Sequence, residues 1–135
     1  MMTFPQLVSR VEGLSNTNRR TTTWGKHVLK LFRDRDYPLP DYIQERAPNN
    51  DDLYPTGFRP KGHAILFEWY LGDEDCPYIS LELDPYGIVT ILTDPADGDG
   101  PCGTDDNMTV LQHRTTAAEE TADFFRHCID QHFNL

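Results

Sequence analysis

Between residues 63 and 93 apolar and polar positions alternate in three runs, HAILFEWYL, YISLELD and IVTILT, parted by GDEDCP and by Asp84-Pro85-Tyr86-Gly87. A period of two over runs of this length predicts β-strands, here near 63–71, 78–84 and 88–93. The second connection has a defined chemistry. Proline suits the first central position of a type I turn, and glycine accepts the left-handed residue that follows, giving a three-residue hairpin loop with a bulge. That loop sets Asp84 opposite Ile88, Leu83 opposite Val89, Glu82 opposite Thr90 and Leu81 opposite Ile91, so one face is apolar and the other polar.

The first connection, GDEDCP, matches no single turn type. Ile65, Phe67, Trp69 and Leu71 must join the apolar face already built. The simplest register sets Leu71 against Ile79, Trp69 against Leu81 and Phe67 against Leu83. Tyr70 then faces Ser80, and Glu68 faces Glu82. Like charges directly opposed in a sheet are unfavourable by roughly 0.2–1 kcal/mol, so the expected outer row is polar without being charge-balanced.

Outside the sheet the period changes. Leu7, Val8, Val11 and Leu14 form one stripe behind Pro5, a short helix ended by Gly13 and the polar run 15–23. A second helix is expected to start near Trp24, capped by Thr21, Thr22 or Thr23, and to be stopped by Pro38 and Pro40. Residues 39–46 are expected to add a further helical turn or two. Residues 47–62, rich in proline, glycine, asparagine and aspartate, read as a long loop. The last helix, about 117–133, opens on Thr116-Ala117-Ala118-Glu119, a capping-box pattern, and carries Ala118, Ala122, Phe125, Ile129 and Phe133 at helical spacing. A short strand near 108–112 is expected to join the sheet. The fold class is therefore α+β, a two-layer sandwich with a three- to four-stranded antiparallel sheet and helices on one face.

At 135 residues the chain is expected to be one domain: a mildly basic helical segment over residues 1–46, the loop 47–62, and an acidic sheet and helix over 63–135. No apolar run approaches the roughly 20 residues of a membrane span, and the first residues lack the basic start and apolar stretch of a secretory signal. Cys76, Cys102 and Cys128 are an odd, sparse set that fits a reducing cytoplasm better than a disulfide framework. The formal net charge is −10, and it is unevenly spread: residues 1–50 are net basic and the rest strongly acidic. Such a field repels nucleic acid and membrane surfaces and attracts basic partners.

Specific chemical motifs are few. Arg20 to His27 ends in Gly-Lys, but the phosphate loop needs glycine where Arg20 stands and a hydroxyl where His27 stands. Residues 18–23 read as a solvated linker, with Arg19 and Arg20 as anion-binding candidates. Asp94, Asp97, Asp99, Asp105 and Asp106 crowd one loop as candidate calcium ligands, yet the EF-hand frame fails at Pro101 and Cys102. Cys128 and His132 lie one helical turn apart, a zinc half-site that Cys76, Cys102 or His113 would have to complete, with no Cys-x-x-Cys pair present. No cofactor is implied. The sharper enzymatic candidates are Glu68 and Glu82, two carboxylates that cannot both ionise cheaply at close range, with Tyr70, Ser80 and Thr90 beside them.

Three functional classes follow. The leading expectation is an acidic, non-enzymatic interaction protein that binds a basic protein, such as an inhibitor or immunity-type protein of a nucleic-acid enzyme, through Glu68, Glu82, Tyr70, Asp73, Glu74 and Asp75. The alternatives are an enzyme built on Glu68 and Glu82, and a metal- or phosphate-responsive module.

Overall fold

The computed structural model describes residues 2–47, 61–70, 79–93 and 109–132. Within them the order is α1 (Phe4–Glu12), α2 (Arg19–Asp34), β1 (Tyr42–Arg46), β2 (Ala64–Trp69), β3 (Ile79–Asp84), β4 (Ile88–Thr93), β5 (Thr109–Arg114) and α3 (Ala118–His132). The fold is α+β. Its sheet has five strands rather than three or four, all antiparallel and in sequence order, β1-β2-β3-β4-β5.

Local chemistry accounts for the helix starts. Thr3 Oγ1 accepts from the Gln6 amide at 3.3 Å and Gln6 Oε1 accepts from the Thr3 amide at 2.8 Å, a reciprocal cap. The second helix begins five residues before Trp24, because Asn18 Oδ1 accepts from the Thr21 amide at 2.8 Å. Arg19 and Arg20 therefore stand on a helix and not in a linker. Within α2, Trp24, Val28, Leu29 and Phe32 are buried. Gly25 lets α2 lie close on β2: a Cβ there would be 3.0 Å from Ile65 Cδ1. The last helix starts later than its capping-box pattern implies, since the Thr121 amide donates to Ala117 O and the Ala117 amide to Thr115 Oγ1.

The expected turn forms. Asp84 pairs with Ile88, the Gly87 amide donates to Asp84 O at 2.8 Å, and Gly87 adopts φ 82°. The Tyr86 amide also donates to Asp84 Oδ1 at 2.7 Å, fixing the loop from inside.

Two expectations are corrected. Residues 39–46 contribute β1, an edge strand, in place of helical turns: Tyr42-Ile43-Gln44-Glu45-Arg46 buries only Ile43, one residue in alternation, and pairs Ile43 with Phe67. The β2–β3 register is also displaced by two residues. Trp69 pairs with Ile79, Phe67 with Leu81 and Ile65 with Leu83, so Glu68 faces Ser80 and Leu66 faces Glu82. A slip of two preserves which side chains point inward, so the hydrophobic pattern does not distinguish the two pairings.

The core lies between the inner sheet face and the three helices. Ile43, Ile65, Phe67, Trp69, Ile79, Leu81, Leu83, Val89 and Ile91 meet Leu7, Val11, Val28, Phe32, Phe125 and Ile129. Phe125 sits at the centre, its ring 4.7 Å from Phe32 and 5.1 Å from Trp69. Phe133 lies outside the described residues.

Candidate functional site

The outer sheet face carries the polar side chains. One row across all five strands reads Tyr42, Glu68, Ser80, Leu92 and Val110, and the next reads Gln44, Leu66, Glu82, Thr90 and Gln112. Its centre is withdrawn from solvent: Glu82 is 2% and Glu68 5% exposed, with Ser80, Asp84 and Ile88 also buried. The members open to solvent stand at the edges, Tyr42 at 59% on β1 and Val110 at 49% on β5.

Each buried carboxylate has its own partners. Arg46 Nε donates to Glu82 Oε1 at 2.6 Å, and Gln44 Nε2 donates to Glu68 Oε1 at 2.7 Å. Both donors come from β1, the strand that the alternation pattern missed. Burial pushes the Glu68 carboxyl above the ordinary carboxylate range, while Gln44, the nearby Arg46 charge and a hydrogen bond from Tyr70 pull it back. The Tyr70 phenol is likewise raised, by burial first and then by the Glu68 and Tyr42 charges. Asp41 ties this corner together: its amide donates to Glu68 O and its Oδ2 accepts from the Tyr70 amide, both at 2.8 Å. Tyr42 and Tyr70 meet edge to face with ring centroids 5.3 Å apart.

The structure thus keeps Glu68 and Glu82 on one face but does not set them opposite one another. They are diagonal neighbours, a relation that separates backbone positions by roughly 7–8 Å. A shared proton, the premise of paired-carboxylate chemistry, needs closer approach, and Glu82 is already neutralised by Arg46. Three cavities lined by described residues lie away from Glu68 and Glu82, two at α2 with the start of α3 and one at the β4–β5 edge.

Topology separates the charge. In this meander, residues 71–78 and 94–108 both connect strands at the sheet end marked by Tyr42, Trp69, Ile79, Thr93 and Thr109. Those two connections contain eight Asp/Glu, among them Asp73, Glu74 and Asp75, and no Lys or Arg. The described residues carry eleven Lys/Arg against twelve Asp/Glu, and the remaining residues one against ten. The described residues are therefore nearly neutral, and most of the net charge belongs to the two connections between strands.

Of the other candidates, Asp94, Asp97, Asp99, Asp105 and Asp106, with Cys76 and Cys102, lie outside the described residues, as does the His132 side chain. Among the described residues no group of three or more His, Cys, Asp or Glu is placed to hold a metal. Cys128 is free and buried, and burial pushes its thiol up to about 11. No helix among the described residues is long and apolar enough to cross a membrane. Arg19 and Arg20 line a cavity together with Trp24 and His27.

Comparison with protein-family models, with curated proteins and with solved structures finds no match to this chain.

Tyr42, Gln44 and Arg46 are the residues that sequence reasoning missed. The available signal was compositional, two strong β-formers, Tyr42 and Ile43, just after two prolines, with no alternation to support it.

Proposed function

We propose that this protein is a non-enzymatic interaction protein that binds a basic protein partner at the acidic end of its sheet, in the manner of an inhibitor or immunity-type protein of a nucleic-acid enzyme. The observation that carries this reading is the charge partition: eight acidic residues and no basic ones in the two connections at that end, on a body close to neutrality. A concentrated acidic end steers a basic partner into place and competes with phosphate for the same cationic groove. Tyr42 and Tyr70, meeting edge to face at that end, supply the aromatic area that binding hot spots use. Glu82 is not a contact in this scheme, because Arg46 occupies it.

Affinity capture from the native cell at low and at high salt tests the proposal. A basic protein retained at low salt and released at high salt is expected, in a one-to-one complex. Tyr42→Ala is expected to weaken that complex by about 1–2 kcal/mol, mainly in its dissociation rate. Neutralising Asp73, Glu74 and Asp75 to their amides slows association instead. Retention that ignores salt, or a partner without basic character, refutes it.

A further inference from the structure

A second chemistry stands on the opposite layer of the molecule, along α2. Arg19, Arg20, Thr23, Trp24, His27 and Thr116 line a cavity of about 520 Å³ between the first two turns of α2 and the approach to α3. His27 also lines an adjoining cavity of about 400 Å³, where Lys30 stands with Asp34 and Glu119, so the net basic character is confined to the first cavity. Arg19 and Arg20 make no ion pair among the described residues, in contrast to Arg33, Arg35, Arg46 and Arg126, each held by a carboxylate. Their position is electrostatically poor for the fold. They are the first two residues of α2, whose opening turn contains no acid, and the positive end of a helix disfavours cations there.

The cavity wall is fixed independently of these arginines. Trp24 is buried, its Nε1 donates to Thr121 Oγ1 at 3.0 Å, and Thr121 Oγ1 donates to Ala117 O at 2.8 Å, so α2 and the first turn of α3 are locked together. The result is a recess lined by two guanidinium groups that make no ion pair among the described residues, together with the His27 imidazole and the Trp24 indole. Guanidinium forks match the oxygen spacing of a phosphate, and two of them together oppose its two negative charges. We propose that this recess binds a small phosphomonoester, the phosphate held between Arg19 and Arg20 and the organic portion lying along Trp24 and His27. This site is separate from the acidic end of the sheet and does not depend on what binds there.

Calorimetric titration of the full chain with inorganic phosphate and with phenyl phosphate, against sodium chloride at equal ionic strength, tests it. The expected result is a single saturable site for both phosphates, tighter for phenyl phosphate, and none for chloride. Arg19→Gln and Arg20→Gln are each expected to weaken binding roughly tenfold, the loss of one charge-assisted contact. The double variant keeps its fold, with a melting temperature equal to wild type or higher by about 1–4 °C, because two misplaced charges are gone. No saturable heat with either phosphate up to about 20 mM overturns the proposal. So does undiminished binding in the double variant, and so does a double variant that melts lower than wild type, since the arginines would then be structural.

Discussion

Replacing Arg46 with methionine keeps much of the aliphatic stem and removes the cation that meets Glu82. The two groups are 2.6 Å apart, and their exposure is lopsided: the arginine side chain is 48% exposed, the glutamate 3%. Unit charges at about 4 Å in surroundings of effective dielectric near 20 attract by about 4 kcal/mol. Water at the half-exposed arginine returns a large share of that, as it does for surface pairs. Glu82 has no such recourse, because its carboxylate stays buried. Removing one partner of a fully buried pair costs about 3–5 kcal/mol, so this half-buried case is expected near 2 kcal/mol. For a chain of this size that lowers the melting temperature by about 6–10 °C. Urea denaturation followed by the fluorescence of the two buried tryptophans, Trp24 and Trp69, measures it. Adding Glu82→Gln to Arg46→Met is expected to recover about half of the loss, with a coupling of about 1–2 kcal/mol between the sites. An Arg46→Met cost below about 0.5 kcal/mol, or strictly additive effects in the double variant, would refute the reasoning.

The same assay bears on Glu68 and on the lock between α2 and α3. Burial raises the Glu68 carboxyl above its ordinary 4.5, so its ionised form weakens the fold once pH exceeds the raised value, and the penalty vanishes below the ordinary one. Glu68→Gln is therefore expected to stabilise at pH 7, by an amount that shrinks to nothing as pH falls toward 4.5; a pH-independent gain, or a loss at pH 7, contradicts this. Thr121→Val leaves the buried Trp24 indole N–H unpaired and is expected to cost about 1–3 kcal/mol, while Trp24→Phe in that background costs less than Trp24→Phe alone. Equal costs in both backgrounds would show that the contact carries no coupling.

How much of this was legible depended on whether a local rule was decisive. The β3–β4 hairpin was, because Asp-Pro-Tyr-Gly admits one tight loop and the loop dictates every pair behind it. The last helix was too, apart from its first residue, because a five-residue apolar stripe outweighs uncertainty about the cap. The start of α2 was obscured by three threonines, each a plausible cap, when Asn18 upstream held the position. β1 was obscured because an edge strand with one buried residue gives almost no periodic signal. The polar face suffered most, since its partners Gln44 and Arg46 come from that unseen strand.

These partners also explain why the sheet adopts one register of two that the hydrophobic pattern allows. In the displaced pairing Glu82 would move two residues along β2, from Leu66 to stand opposite Glu68, with like charges costing roughly 0.2–1 kcal/mol. It would also leave Arg46, forfeiting the contact valued at about 2 kcal/mol. The difference of roughly 2–3 kcal/mol corresponds to about a 30- to 150-fold preference for the observed register, of the same order as a single well-formed core contact. Buried ion pairs rarely add stability over apolar replacements of the same shape, but they discriminate between alternatives that bury the same apolar surface. On this sheet the discrimination has a further consequence. By holding Glu82 on Arg46 and Glu68 on Gln44, β1 keeps both carboxylates beneath the surface and sets Tyr42 against Tyr70 at the sheet end.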